Sequence, residues 1–464
     1  MELFTDRTGD EGLPGRERRL AMLAVMTCTT MAVLDGSMVN IALPQIAEQL
    51  HVSAGDAVWV ANGYLLSAAM TLAIFSALAV RTGFRALFSA GLTLFTLASL
   101  GCALSTSLEM LVTMRLLQGI GGAATLSIAP AILRSIFPNR LLGRILGANA
   151  LLIALNTAIA PVIGGGLLNA LGWPWLFAIN IPLGMLALGL ALRTLPSARA
   201  AAGAPFDFQG AVWSALMLGA LVMASDAFSH RDSLANAGLW ALLSLAAGWL
   251  FVRRQRRAPQ PLLPLTLFAS ARFSLAALTS LASFVSQGMT FVALPFLFQS
   301  VYGYSAFTSA LLFTAWPVGI ILAAPHAGRL ADKHAPALIS TVGLCVFALG
   351  LLLLALLPDP AQWWDISLRG LLCGIGFGCF QSPNNREMLA NASREHSSYA
   401  SGVLAVMRTF GQCLGAAFVG VIFSLYAQSA ALDGQHQAVR MALWLAAAAT
   451  LLSLAFSVSR LTKR

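Results

Sequence analysis

The chain is patterned as long apolar runs separated by short polar connections, about fourteen runs in all. They fall near residues 21–44, 57–79, 84–105, 108–133, 145–169, 174–195, 208–227, 234–252, 272–300, 306–327, 336–357, 363–385, 398–427 and 437–459. Most are roughly 18 to 25 residues long, the length a helix needs to cross a bilayer. Strands of a membrane barrel would be shorter and would alternate in polarity. The pattern predicts an all-α integral membrane protein with about 14 transmembrane helices.

Composition narrows this further. Hydrophobic residues make up 58% of the 464-residue chain and charged residues 10%, with a mean hydropathy of +0.79. A soluble domain carries about 25% charged residues, and no soluble core hides so much apolar sequence, because surface grows too quickly relative to volume. A net charge of +10 could point to nucleic acid, but the basic residues do not gather on one element, so no nucleic-acid partner is expected. They recur in alternate connections, where the positive-inside rule accounts for them. These connections hold Arg81 and Arg85, then Arg134, Arg140 and Arg144, Arg193 and Arg199, Arg253, Arg254, Arg256 and Arg257, Arg329 and Lys333, and Arg386 and Arg394. Arg16, Arg18 and Arg19 precede the first run, and Arg460, Lys463 and Arg464 follow the last. The intervening loops hold mainly acids: Glu48, Asp56, Glu109, Asp226, Asp232, Asp359, Asp365 and Asp433. Both termini are therefore expected in the cytoplasm of a multi-pass protein in the inner (plasma) membrane. The first 20 residues are polar and the first run is too long for a signal h-region, so no cleaved leader is expected.

Little in the sequence suggests bond-making chemistry. All six cysteines lie within apolar runs with no CxxC pair and read as packing residues. There is no metal-ligand spacing, phosphate loop or nucleophile constellation, so no cofactor, metal or enzymatic activity is expected. Glu387 and Glu395, beside Arg386 and Arg394, read as a solvated ion-pair cluster.

A weak internal repeat does carry information. Asp35-Gly36 followed by Ala42-Leu43-Pro44 matches Gln287-Gly288 followed by Ala293-Leu294-Pro295, and "SALAVRTG" from Ser76 matches "GRLADKHA" from Gly328. Gly119-Ile120-Gly121 returns as Gly374-Ile375-Gly376. Three matches in order at one offset of roughly 250 residues favour duplication, a common way of building transporters with a substrate site between the repeats. Six spans need fewer residues than that offset, which leaves room for an inserted pair at 208–227 and 234–252. The organisation expected is a tail over 1–20, a six-helix half over 21–195, linkers and an inserted lipid-facing pair over 196–260, and a second six-helix half over 261–464.

Two ionisable residues lie deep in the N-terminal half. Asp35 sits roughly 13 Å and Arg115 roughly 10 Å from the outer end of its helix, at 1.5 Å per residue. At matching depths the two could couple across neighbouring helices. Burial disfavours a carboxylate's charged form and a neighbouring guanidinium favours it, so a change in either would move a proton. Intramembrane acids generally mark pathways, although a static ion pair would also satisfy the pattern. Gln287, the repeat counterpart of Asp35, cannot carry a proton, so titration should concentrate in the first half. Asn40 and Gln287 could line a pathway or hold helices together. Asn62, Tyr64, Asn156 and Asn180 are further polar candidates. Trp59, Phe284, Phe291, Phe298, Trp316 and Phe380 could form a stacking wall for aromatic cations, or could simply pack. Trp173, Trp175, Trp363 and Trp364 read as interfacial anchors.

In combination, these segments resemble the 14-helix drug:proton antiporter branch of the major facilitator superfamily. "LDGSMVNIALP" from Leu34 is similar to its first-helix motif, and "RLLQGIGGA" from Arg115 to its fourth-helix motif. "APVIGGG" from Ala160 is similar to its fifth-helix antiporter motif, with Ala160 in place of a glycine, and "WPWLFAINIP" from Trp173 to its sixth-helix entry. The resemblance implies the major facilitator fold, two six-helix bundles plus an inserted helix pair. It also implies proton-coupled export of small lipophilic, cationic compounds (multidrug efflux) by alternating access, with a monomer as the working unit. A specific endogenous metabolite as cargo, or an uncoupled facilitator, are the alternatives.

On this reading Asp35 and Arg115 couple protons, while Asp35, Asn40, Trp59, Tyr64, Gln287 and Phe291 contact substrate. Pro161, Gly164 and Gly165 would let helix 5 slide against the other half. Arg81, Gly83 and Arg85 belong to a gating loop between helices 2 and 3. That loop departs from the family at Ser76 and Val80, where a glycine and an aspartate are usual, and Asp332 in the second copy could take over part of the latch.

Overall fold

The computed structural model describes residues 2–197, 205–229, 234–393, 396–427 and 431–463. Among these, thirteen helical segments are long and apolar enough to cross a membrane. The first half comprises α1 (Gly15–Gln49), α2 (Ala54–Thr82), α3 (Phe84–Ala103), α4 (Leu108–Ile136), α5 (Leu142–Ala170) and α6 (Pro174–Thr194). Two further helices follow, α7 (Phe208–Ser229) and α8 (Leu234–Arg257). The second half comprises α9 (Ala271–Val301), α10 (Ala306–Lys333), α11 (Pro336–Ala355), α12 (Trp363–Ala390), α13 (Ser397–Tyr426) and α14 (Ala431–Leu461). The helix α12 makes the fourteenth: it is long enough to span but carries Asp365, Arg369, Arg386 and Glu387. Both ends of the described chain lie on one side of the bundle, called here the termini side.

Helix starts follow local chemistry. Ser53, Ser107, Ser270 and Ser305 each stand one residue before a helix, and each hydroxyl accepts the backbone N–H three residues on. This satisfies one of the donors a helix N-terminus leaves unpaired. Between α2 and α3 a single residue, Gly83, reverses the chain at φ +89°. An L side chain there would be strained, so this turn requires glycine.

The repeat in the sequence is a repeat in space. α4 packs between α2 and α3 just as α12 packs between α10 and α11, and α1 lies against α5 and α6 just as α9 lies against α13 and α14. The glycine pairs are the reason the helices approach so closely. A methyl group at Gly119 would collide with the Tyr64 carbonyl, and one at Gly374 with the Trp316 carbonyl; Gly121 and Gly376 sit likewise on the backbones of Phe95 and Phe347. The rings at these places also correspond. Tyr64 meets Phe95 edge-on at 6.5 Å, and Trp316 meets Phe347 edge-on at 5.5 Å.

The inserted helices pack on each other, and α7 lies across the line where α2 meets α13. Three contacts fix it: the Trp59 indole N–H donates to Asp226 Oδ1 at 2.9 Å, the Ser244 hydroxyl to the Met217 carbonyl at 2.9 Å, and Arg254 and Gln255 to Asp207. Burial of Asp207 is outweighed by the hydrogen bonds from Arg254, Gly210 and Gln255, which hold its carboxyl below the usual range. Leu239, Leu242, Leu245 and Trp249 of α8 are exposed, so the pair covers the bundle and turns its outer face to lipid. Replacing Trp59 by Phe removes one charge-assisted hydrogen bond. A loss of about 1.5–3 kcal/mol is expected, read as a lower Tm and faster amide exchange confined to residues 208–229.

The two halves meet on the side opposite the termini, and also further in, where Ala405 and Val406 of α13 pack beside Leu72 of α2 and Ala123 of α4. Gln299 of α9 donates to the Ile41 carbonyl of α1 at 2.9 Å, and Gly55 of α2 lies against Gly420 and Ser424 of α13. On the termini side the N-terminal segment folds back. Arg18 donates to the Leu3 and Leu13 carbonyls and to Asp6, and Arg140 pairs with Asp10 at 2.6 Å. Hydrogen bonding from Arg140 holds the Asp10 carboxyl down to about 2.

One sequence expectation is overturned here. Glu387 does not belong to a solvated cluster, because α12 continues to Ala390 and turns it inward, where it is buried near Arg460. Arg386 pairs instead with Asp332 of α10. Arg394 and Glu395, like Arg199, Arg231, Asp232 and Arg464, lie outside the described residues.

Candidate functional site

Close packing of α4 on α2 and α3 carries Arg115 into the interior of the first half, beside α1. Gln118, three residues later, shares its face. Asp35 meets both of them from α1. Arg115 Nη1 lies 2.6 Å from Asp35 Oδ2, and both side chains are fully buried. The other carboxylate oxygen accepts from Gln118 Nε2 and Asn180 Nδ2, each at 3.2 Å. Asn180 is available because α6 is interrupted at Ile179 and restarts at Asn180.

The network is closed around these groups. Arg115 donates also to Gln118 Oε1 at 2.6 Å and to the Val60 carbonyl at 2.8 Å. Its guanidinium stands 4.6 Å from the Tyr64 ring centre and 5.5 Å from that of Phe177. Ser99 of α3 accepts from Gln118 at 2.9 Å. Asp35 thus faces three N–H donors, the set that suits an anion. A proton arriving on either oxygen would confront a donor and displace it.

Among the described residues, the second half has no matching carboxylate–arginine pair at this place. By the glycine correspondence Gly370 stands where Arg115 stands, and Cys373 where Gln118 does. The space is filled by Trp316, Phe347 and Phe377, with Phe284 and Phe380 packed edge-on around them. Gln287 is buried and accepts from Gln412 of α13 at 2.9 Å.

The remaining candidates divide by location. Asp35 itself is sealed off, but Gly36 beside it is exposed, with open space where a side chain would go. Asn40 is half-buried on α1, and Phe291 is half-buried with its ring 4.8 Å from Phe313 and 5.1 Å from Trp316. Tyr64 belongs to the Arg115 network and Trp59 to the α7 contact. Phe284, Phe298, Trp316 and Phe380 are buried in the core of the second half and make no exposed wall.

Of the gating candidates, Gly165 of α5 touches α10 of the other half. A Cβ there would lie 2.7 Å from Ala310 Cβ and 2.9 Å from the Ala306 carbonyl. Gly164 lies against Met38 of α1, and Pro161, one turn earlier on the same helix, is buried. Arg81 is exposed beside the Gly83 turn, and Arg85 donates to the Leu192 carbonyl of α6. Asp332 stays within the second half through its Arg386 pair.

Sequence reasoning passed over Gln118 and Ser99 and underrated Asn180. The available signal was Gln118 three residues after a buried arginine, on one helix face. No group of three or more potential metal ligands occurs among the described residues.

Comparison with known proteins now decides the family. The Major Facilitator Superfamily profile matches residues 25–416, and also 277–463. The chain belongs to the Major Facilitator Superfamily. It is a membrane transporter rather than an enzyme, and its relatives within that superfamily span its length. It is 40% identical to the uncharacterized transporter YebQ of Escherichia coli, over 96% of each chain. It is 32% identical to a tetracenomycin C resistance and export protein of Streptomyces glaucescens, covering 90% of this chain and 78% of that one. It is 27% identical to the riboflavin transporter RibZ of Clostridioides difficile, covering 88% and 89%. Among solved structures, a POT family transporter superposes with a TM-score of 0.72 at 18% identity, covering 96% of this chain and 97% of that one. A bacterial homologue of the lysosomal transporter Spinster, in an inward-facing conformation, superposes at 0.69 and 14%, covering 95% and 96%. At such identities these structures speak to the major facilitator fold alone.

Proposed function

We propose that this transporter is a proton-driven antiporter of the inner (plasma) membrane, exporting small, largely apolar compounds by alternating access with both termini in the cytoplasm. The observation that carries this reading is the buried Asp35–Arg115 pair, held by donors from α4 and α6 and closed around by α2 and α3. It is an intramembrane acid with an exchangeable partner, next to the open face of α1 at Gly36. Protonation of Asp35 releases Arg115 toward Gln118 and the Val60 carbonyl and loosens α1 from α4. Cargo bound beside α1 is thereby linked to the proton without touching the carboxylate. Asn40, Gln287 and Phe291 are its proposed contacts, and the Gly164–Gly165 seam with the Gly83 turn its moving parts. One chain contains both halves, so a monomer suffices.

The relatives named for drug efflux and for tetracenomycin C export support a broad or xenobiotic cargo. The relative named for riboflavin supports a second reading, a narrow exporter of one metabolite. A resistance panel on overexpression separates them, since protection against many unrelated compounds excludes narrow specificity. Coupling is tested in proteoliposomes with an imposed pH gradient. With no membrane potential imposed, exchange of one proton per cargo molecule should sustain about a tenfold concentration ratio per pH unit and collapse with a protonophore. Accumulation indifferent to the gradient would leave an uncoupled facilitator.

A further inference from the structure

One charge inside the bundle plays no part in the Asp35 network. Arg408 lies about 16 Å along α13 from Ser397 at 1.5 Å per residue, within a membrane-spanning helix. Its side chain is exposed, and it forms no hydrogen bond or ion pair with any described residue. Its direction is fixed by its neighbours. Gly411 lies against Leu281 and Phe284 of α9, whereas Ala405 packs beside Leu72 of α2 and Ala123 of α4. The face between those contacts, which Arg408 occupies, opens on the space between the two halves. One turn further along, Gln412 reaches Gln287.

Several other ionised groups within the spans have company. Asp35 has Arg115, Asp365 has Arg369, and Arg460 has Asn384 with Glu387 nearby. None of these acids is therefore free to hold a cationic cargo, and the charge that Arg408 presents to the central space is positive. An unpaired intramembrane arginine is costly to keep and marks a pathway. Its planar guanidinium fits carboxylate, sulfonate and phosphate oxygens two at a time.

We propose that Arg408 is the counter-ion for an oxyanion on the cargo, so that the substrates are amphipathic organic anions or zwitterions rather than lipophilic monocations. This rests on the export reading above and names its substrate class. The test is equilibrium binding to the purified full-length protein in lipid nanodiscs, with no pH gradient present. The probes are aromatic carboxylates of one to three fused rings, their neutral amides and their ammonium isosteres. At least one carboxylate should bind tenfold or more tightly than its amide and its ammonium isostere. Arg408→Gln should abolish that preference, and Arg408→Lys should keep part of it. Equal affinity for acids and amides, a preference for the cations, or a preference that survives in R408Q would overturn the proposal. Should R408Q fail to fold, the wild-type ranking and R408K decide. Anion-selective binding that depends on Arg408, combined with transport indifferent to a pH gradient, would remove the coupling reading and leave this one standing.

Discussion

Asp35→Asn should abolish gradient-driven accumulation in proteoliposomes while leaving passive cargo exchange. The amide keeps the size and much of the hydrogen bonding of the carboxylate but cannot take up a proton, so uphill transport should fall to the passive level, a loss of about tenfold under a gradient of one pH unit. The same change leaves Arg115 as an uncompensated buried charge. Breaking one side of a buried pair costs about 3–5 kcal/mol, so a lower Tm is expected as well. The double variant Asp35→Asn with Arg115→Gln separates the two effects. It should recover most of the stability and none of the coupling. If the double variant accumulates cargo uphill, the proton is carried elsewhere.

The second large effect is expected at Gly165. Valine there would press on Ala310, Ala306 and Phe307 across the seam between α5 and α10. Overpacking of this kind costs about 1–3 kcal/mol, and it falls only on conformations in which the two helices touch. Gly165→Val should therefore shift the population toward the state open on the far side, by about 5- to 150-fold at RT ≈ 0.6 kcal/mol. Spin labels at Leu171 and Leu311, both exposed, should report longer distances, and turnover should fall accordingly. Gly166 is the internal control: nothing lies within 4 Å of a side chain there, so Gly166→Ala should change neither. Unchanged label distances in G165V would show that α5 and α10 do not form the gate.

What the sequence made legible was whatever the bilayer or a close approach dictates. The spans were legible because hydrocarbon thickness fixes their length, and α12 was found despite its charges because it lies between predicted neighbours. Asp35 and Arg115 could be paired by depth alone. The repeat could be read because Gly119, Gly121, Gly374 and Gly376 are places where nothing larger fits. Side-chain azimuth was not legible. Glu387 is turned inward by a helix that continues past it, and Trp59 faces α7 because of where an inserted helix docks. Gln118 and Asn180 matter only through the point at which three helices converge. Arg408 was passed over for the same reason: it lies well inside its span, and only its neighbours show which way it faces.

That exposed arginine also assigns the voltage dependence of the cycle to one of its steps. With cargo bound as proposed, the pathway between the halves is neutral; empty, it carries one positive charge. The Asp35–Arg115 pair is neutral while Asp35 is ionised and adds a second positive charge when the empty protein returns with its proton. An electrical potential, negative in the cytoplasm, therefore acts little on the loaded protein and pulls the empty one back toward its cytoplasm-facing form. The pull is at most about 2.3 kcal/mol per charge per 100 mV, scaled by the fraction of the field each charge crosses. Membrane potential would then set how quickly the empty carrier resets, and cargo concentration how often it is needed.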